Sequence, residues 1–239
     1  MADRIVLNGR SYHGSGAIAE IVPEIQRGGY KKIFVCSDPD LVKFGVTAKV
    51  TDLLDEAGIP FSLYSEIKPN PTIENVQHGV DAYKASGADF MITIGGGSAM
   101  DTAKAVKAYL LAENPEDVIQ NRLPVGGGIP HIAIPATAGS GAEATSNAVV
   151  YRDGVKLSLS GEALLPEGVV LDASLLETLP EYHQKSCAFD ALSQGIESWW
   201  SKAASSDSRV HAYLAILGVL DNLRPYLAGD PRAAEKMLE

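Results

Sequence analysis

Apolar positions along this chain fall into two alternating rhythms. KKIFVCS (31–37), IPFSLYS (59–65), DFMITIG (89–95) and HIAIP (131–135) are short runs rich in β-branched and aromatic residues. Such runs predict buried strands. Between them, VTAKVTDLLDEAG (46–58), TIENVQHGVDAYKASG (72–87) and SAMDTAKAVKAYLLA (98–112) repeat apolar residues at helical spacing. Two of these three end on glycine, a helix stop signal. Strands alternating with helices imply βαβ units and a parallel sheet. NAVVYRDGVKLSLS (147–160) predicts a hairpin turning at Arg152-Asp153-Gly154. Beyond LETLP (176–180) the strand pattern stops. Tyr182 to Glu239 predicts helices, broken near AGDP (228–231), with SKAASSDSR (201–209) as a connecting loop. The expected fold is an α/β domain with a parallel sheet over residues 1–180, then an all-helical segment over 181–239. A helical piece of about 60 residues buries little core alone.

Composition changes this picture only by exclusion. The chain has 239 residues, 46% hydrophobic and 21% charged, ordinary for a soluble globular protein. A net charge of −10 argues against nucleic acid or an anionic membrane as partner. No apolar run approaches the ~20 residues of a membrane span. The opening MADRIVLNGR lacks the pattern of a secretory leader. Cys36 and Cys187 form no CxxC, so a reducing, cytoplasmic setting with two structural thiols is expected.

The chemistry concentrates in IGGGSAMDTAK (94–104). A strand, a glycine turn and a helix N-terminus make an anion site, because free N–H groups and the helix dipole point outward there. Gly95, Gly96 and Gly97 let the backbone approach a pyrophosphate, and Ser98 can cap the helix or bind phosphate. Met100 stands where GxGxxG needs its third glycine, and Lys104 is misplaced for a P-loop. IPATAGSGAEAT (134–145) is a second small-residue loop after a strand; its Thr137, Ser140 and Thr145 can hydrogen-bond a nucleotide. Asp38 ends the strand IFVCSD, where a carboxylate can accept from a ribose 2′-OH and repel a 2′-phosphate. Trp199 and Trp200 suit either a substrate cleft or a packing surface.

NPT (70–72), GGGSAMDTAKA (95–105), IPATAGSGAEAT and DALSQGIES (190–198) occur in that order. In this the chain resembles, over essentially its whole length, the iron-containing alcohol dehydrogenases, a branch of the dehydroquinate synthase-like superfamily. The resemblance implies a dinucleotide-binding α/β domain followed by an all-helical domain, with the active site in the cleft between them. It implies hydride transfer between a nicotinamide cofactor, NAD rather than NADP, and a primary alcohol or aldehyde. Asn70, Gly96, Gly97, Ser98 and Ser140 would bind the cofactor, with Asp101 near its nicotinamide half. Thr137 would face the adenosine side, Lys156 the nicotinamide ribose and Asp38 the adenosine ribose. A homo-oligomer is one possible state of association. The DALSQGIESWWS variant resembles a branch that includes phosphonoacetaldehyde-reducing enzymes. A non-catalytic dinucleotide binder and a glycerol dehydrogenase or dehydroquinate synthase-like enzyme remain alternatives.

The family's Fe(II) or Zn(II) acts as a Lewis acid on the alcohol oxygen. The resemblance implies an aspartate and, four residues later, a histidine as ligands, with two more histidines further on. Here Asp190 is present, but Gln194 stands at the histidine position. The chain ends at Glu239, before the region expected to hold the others. His13, His78, His131, His183 and His211 do not replace them; His183 is expected just before a helix and His211 on a helix face. Weak metal retention, poor turnover and self-association through an uncovered helical face are therefore expected.

Overall fold

A computed structural model describes residues 8–123 and 128–239. The chain runs β1 (Arg10–His13), α1 (Ile21–Gly28), β2 (Ile33–Ser37), α2 (Pro39–Lys43), α3 (Ala48–Glu56), β3 (Phe61–Tyr64), α4 (Ile73–Ser86), β4 (Phe90–Gly95), α5 (Gly97–Leu111), α6 (Pro115–Ile119) and β5 (His131–Pro135). It continues through β6 (Asn147–Arg152), β7 (Val155–Ser160), β8 (Gly168–Leu171), α7 (Glu181–Trp200), α8 (Ser206–Leu227) and α9 (Pro231–Leu238). Six parallel strands form one sheet in the order β1-β8-β5-β4-β2-β3, and β6-β7 form a separate antiparallel hairpin.

The central strands β2, β4 and β5 are buried on both faces, as their continuous apolar runs require. Alternate residues of β2 serve opposite sides. Phe34 and Cys36 join a core with Met91 and residues of α4 and α5. Ile33 and Val35 join another with Ile92, Ile134 and residues of α1 and α3. Local signals set the element ends. Thr72 and Asn75 form a reciprocal capping box at α4, and Gly87 closes that helix in the left-handed region. Asp153 and Gly154 both have positive φ, which a two-residue hairpin turn needs.

β2 sends the chain outward to β3, whereas β4 returns to its other side. The switch point of the sheet therefore lies between the carboxyl ends of β2 and β4. Open α/β sheets bind ligands in the crevice outside such a point.

The helices α7 to α9 pack on one another and onto the α/β part. Ala188, Val219, Tyr226 and Met237 share a core with Ala138 and Ala173. Gly195 lets α7 and α8 meet closely, because a Cβ there would stand 3.0 Å from Ile216. Phe189, Trp200, Leu214 and Leu220 remain more than half exposed on these helices. Two expectations need correction. The loop expected over 201–209 is shorter, because Ser205 and Ser208 form a capping box that starts α8 at Ser206. His183 lies inside α7, not before it. Among the described residues no helix is long and apolar enough to cross a membrane.

Candidate functional site

β4 delivers its chain, buried throughout, to Gly95, and α5 begins two residues later. None of the three turn glycines has positive φ, so their glycine character serves space rather than conformation. A Cβ on Gly95 would stand 2.6 Å from both Asp38 Oδ2 and Ala99 Cβ. On Gly96 it would meet Thr137 Oγ1 at 3.4 Å, and on Gly97 Ser140 Oγ at 3.3 Å. No side chain caps the N-terminus of α5. Its first N–H groups are thus free of the usual intramolecular acceptor, at the positive end of a fifteen-residue helix. The arrangement is a cradle of backbone with room for an anion.

Asp38 stands at the end of β2, across the switch point from this turn. Gly96 N–H donates to its Oδ2 over a long 3.5 Å. Burial raises the carboxyl above its ordinary value, against the pull of that N–H.

The segment after β5 forms the other wall. Ala136 N–H donates to Gly95 O at 3.0 Å, extending the ladder to the turn. Thr137 and Ser140 then cross over Gly96 and Gly97. Gly139 faces outward to α7, where a Cβ would come within 2.9 Å of the Cys187 Cβ and carbonyl oxygen. Thr145 turns its hydroxyl away from this wall, accepting from Lys104 Nζ at 2.9 Å.

Asp101, one turn into α5, is half-buried. Burial lifts its carboxyl to about 6, while Lys104, Val149 N–H and Lys156 pull the other way. Lys156 is exposed on β7, paired in register with Tyr151 of β6. Tyr151 N–H also donates to Pro71 O at 2.8 Å, which ties the NPT segment to the hairpin. Asn70, exposed and with φ of 54°, starts that segment. The cofactor-binding residues expected from the sequence thus cluster at the carboxyl edge of β2, β4 and β5 and on the adjoining hairpin.

A cavity of about 1070 Å³ opens between the Thr137–Thr145 segment and α7, α8 and α9. Glu143, Gln194, Ser198 and His211 line it. Burial raises the Glu143 carboxyl. Asp190 and Gln194 are both exposed, one turn apart on α7. Gln194 Nε2 donates to Gly139 O at 3.5 Å, so the amide is engaged with the segment after β5. Among the described residues no three His, Cys, Asp or Glu side chains converge on a metal position. One carboxylate and one amide fall short of the three or four ligands that hold a divalent ion. These residues do not by themselves fit the metal. Trp199 and Trp200 stay substantially exposed, Trp199 beside Tyr213 at 5.9 Å.

Sequence reasoning missed two lysines. Lys104 and Lys107 are buried on a helix whose neighbours from Ala99 to Ala108 are nearly all buried too. Lys104 Nζ donates to the carbonyl oxygens of Ala142, Thr145 (2.7 Å) and Asn147 (2.9 Å). Lys107 pairs with Glu167 at 2.9 Å, and Glu167 also accepts from His131 N–H at 2.7 Å. The available signal was the run AKAVKAYLL, where a lysine inside an apolar helix must find acceptors.

The family model described as iron-containing alcohol dehydrogenase matches residues 8–173. The lactaldehyde reductase of Escherichia coli (strain K12) is 36% identical over 244 residues, covering 99% of this chain and 63% of the relative. Among solved structures, a 1,3-propanediol oxidoreductase superposes with a TM-score of 0.93 at 26% identity, covering 100% of this chain and 64% of that one. A sulfoacetaldehyde reductase from Bifidobacterium kashiwanohense in complex with NAD+ gives a TM-score of 0.88 at 27% identity, covering 100% and 64%. The chain therefore spans less than two thirds of the length of these relatives. The family match favours the alcohol dehydrogenases over the glycerol dehydrogenase or dehydroquinate synthase-like alternative.

Proposed function

Because this chain belongs to the iron-containing alcohol dehydrogenase family, we propose that it binds NAD across the switch-point crevice and serves hydride transfer between that cofactor and a small primary alcohol or its aldehyde. One observation carries the reading: an uncapped helix N-terminus whose turn touches Asp38 on one side and Thr137 and Ser140 on the other. The Gly97 and Ser98 N–H groups donate to the pyrophosphate, and Gly96, whose N–H leans toward Asp38, lets the turn approach it closely. Asp38 accepts from the adenosine ribose and repels a 2′-phosphate, which selects NAD over NADP. Thr137 and Ser140 close the adenosine side; Asn70, Asp101 and Lys156 hold the nicotinamide half. When bound, the nicotinamide supplies the hydride chemistry.

Residues 1–180 form the dinucleotide-binding unit in this reading, and the helices from Glu181 begin the substrate side. Fe(II) or Zn(II) held at Asp190 and Gln194 would need further ligands. The substrate is a short aldehyde with a polar substituent, phosphonoacetaldehyde among the candidates. The names of the lactaldehyde and sulfoacetaldehyde reductases support this, as does the Ser198 and His211 lining of the cavity. Its two free cysteines suit a reducing, cytoplasmic compartment.

Fluorescence titration with NADH and NADPH tests the cofactor reading. NADH is expected to bind more tightly. Equal or tighter NADPH binding overturns the assignment of Asp38, and binding of neither overturns the cofactor reading. Oxidation of NADH by lactaldehyde, sulfoacetaldehyde or phosphonoacetaldehyde, with and without added Fe(II) or Zn(II), tests the substrate class.

A further inference from the structure

Lys104 has no exposed surface, yet it carries an ammonium group. Burying a charge is costly unless hydrogen bonds replace its water. Here they come from one stretch of irregular chain. The three Nζ hydrogens are shared among four acceptors within hydrogen-bond distance: Ala142 O, Thr145 O, Thr145 Oγ1 and Asn147 O. Thr145 Oγ1 in turn donates to Ala142 O at 3.2 Å. Regular secondary structure would answer such carbonyls with backbone N–H groups. In this segment Thr145 N–H reaches Ala142 O at 3.3 Å, and a side chain from α5 supplies the further donors. An apolar residue could fill the space, but it could not hold four acceptors.

The held segment is continuous with the wall of the dinucleotide crevice. Ala142 N–H donates to Ser140 Oγ at 3.3 Å. Ser140 stands over Gly97, and Thr137 over Gly96, near the closest approach that leaves room for backbone alone. Lys104 sits on the same helix as that turn. One side chain thus fixes both walls relative to each other.

We propose that Lys104 is the positioning residue of the dinucleotide site, pinning the Ala142–Asn147 segment to α5 and so setting the gap between the glycine turn and the Thr137–Ser140 wall. This deepens the cofactor reading and rests on it for the identity of the ligand. Asp101 and Lys107 face Nζ from its own helix and Glu143 from the held segment. Burial draws the ammonium down to about 8, against the pull of Asp101 and Glu143. Loss of the proton removes both the charge and one donor hydrogen, so the pin weakens above that pH.

The test compares wild type, Lys104→Met and Thr145→Val by NADH fluorescence titration from pH 7 to 9.5. Hydrogen exchange of the amides in 137–147 is followed without ligand, and a thermal melt establishes folding. Folded Lys104→Met is expected to bind NADH at least tenfold more weakly at pH 7. Thr145→Val, which keeps the charge and loses one acceptor, is expected to lose two- to fivefold. Wild-type affinity is expected to fall above pH 8 and that of Lys104→Met to stay flat. Exchange in 137–147 is expected to quicken in Lys104→Met while that of β4 holds. A folded Lys104→Met with wild-type affinity and exchange overturns the proposal. Should Lys104→Met fail to fold, Thr145→Val decides: unchanged affinity and exchange overturn the proposal, and the expected loss supports it. A wild type that binds no NADH overturns the cofactor reading instead, and the exchange comparison then decides the pinning role alone.

Discussion

Single residues carry the proposed cofactor crevice, and most of those proposed for it stand out in the sequence because their chemistry is local. A strand ending in Asp38 and a turn of three glycines announce themselves within a few positions. Gly97 gives the sharpest test. Its Cβ position lies 3.3 Å from Ser140 Oγ, so a larger side chain must push the second wall outward. Gly97→Leu is expected to weaken NADH binding by about tenfold or more, equivalent to ~1.4 kcal/mol, in a chain that still melts cooperatively. Wild-type affinity in that variant would remove the turn from the site. At Asp38, glycine is compatible with the backbone and removes the carboxylate. Asp38→Gly is expected to narrow the gap between NADH and NADPH, read as the ratio of the two dissociation constants. Lys104 was not legible in the same way. Its acceptors lie 38 to 43 residues further along the chain, and no local pattern reports a contact at that distance.

Elements with a strong period were readable, including the short edge strand β3, but β1 at the other edge was not. β2, β4 and β5 are buried at every position, and their apolar runs show it. β1 reads RSYH, has no fully buried residue and gives no alternation to detect. The opposite end of β5 from the crevice holds a polar cluster that sequence alone did not reveal. His131 is wholly buried, its Nε2 2.9 Å from Thr93 Oγ1, while Nδ1 has no hydrogen-bond partner among the described residues. Burial, with Lys107 and Lys104, holds its pKa well below the ordinary value. The unfolded chain takes up that proton near pH 6.5, and the folded chain resists it. This contribution to stability is therefore present above pH 6.5 and is lost as pH falls below it, by up to ~1.4 kcal/mol per pH unit. Asp101, raised to about 6, works in the opposite sense. The informative quantity is the difference between wild type and His131→Gln in melting temperature from pH 7 to 5. The gap is expected to shift in favour of the variant on acidification; a constant gap would contradict the assignment. In the same cluster, Glu167→Ala leaves Lys107 buried without its carboxylate. Glu167 is partly exposed, so the expected loss is about 2 kcal/mol, less than for a wholly buried pair. Urea denaturation measures it.

At the scale of the whole molecule, the alternation of strands and helices gave the parallel sheet, but its strand order and the stacking of α7 to α9 depend on distant pairings. Those helices leave Phe189, Trp200, Leu214 and Leu220 each more than half exposed, apolar surface that favours association. Concentration-dependent light scattering is expected from this chain, and Leu214→Glu with Leu220→Glu is expected to reduce it without lowering the melting temperature. Scattering that does not change in the double variant would assign association to another surface. The sheet's order also governs when it can form. β1 finds its place only beside β8, with Arg10 opposite Gly168. Roughly 160 residues must therefore leave the ribosome between the two strands, which at ~5–20 residues per second takes about ten to thirty seconds. Throughout that interval β1 is a nascent strand with no partner. The crevice between β2 and β4 has both its strands available much earlier, so the edge proposed to bind the dinucleotide is poised to assemble before the sheet's far border is sealed.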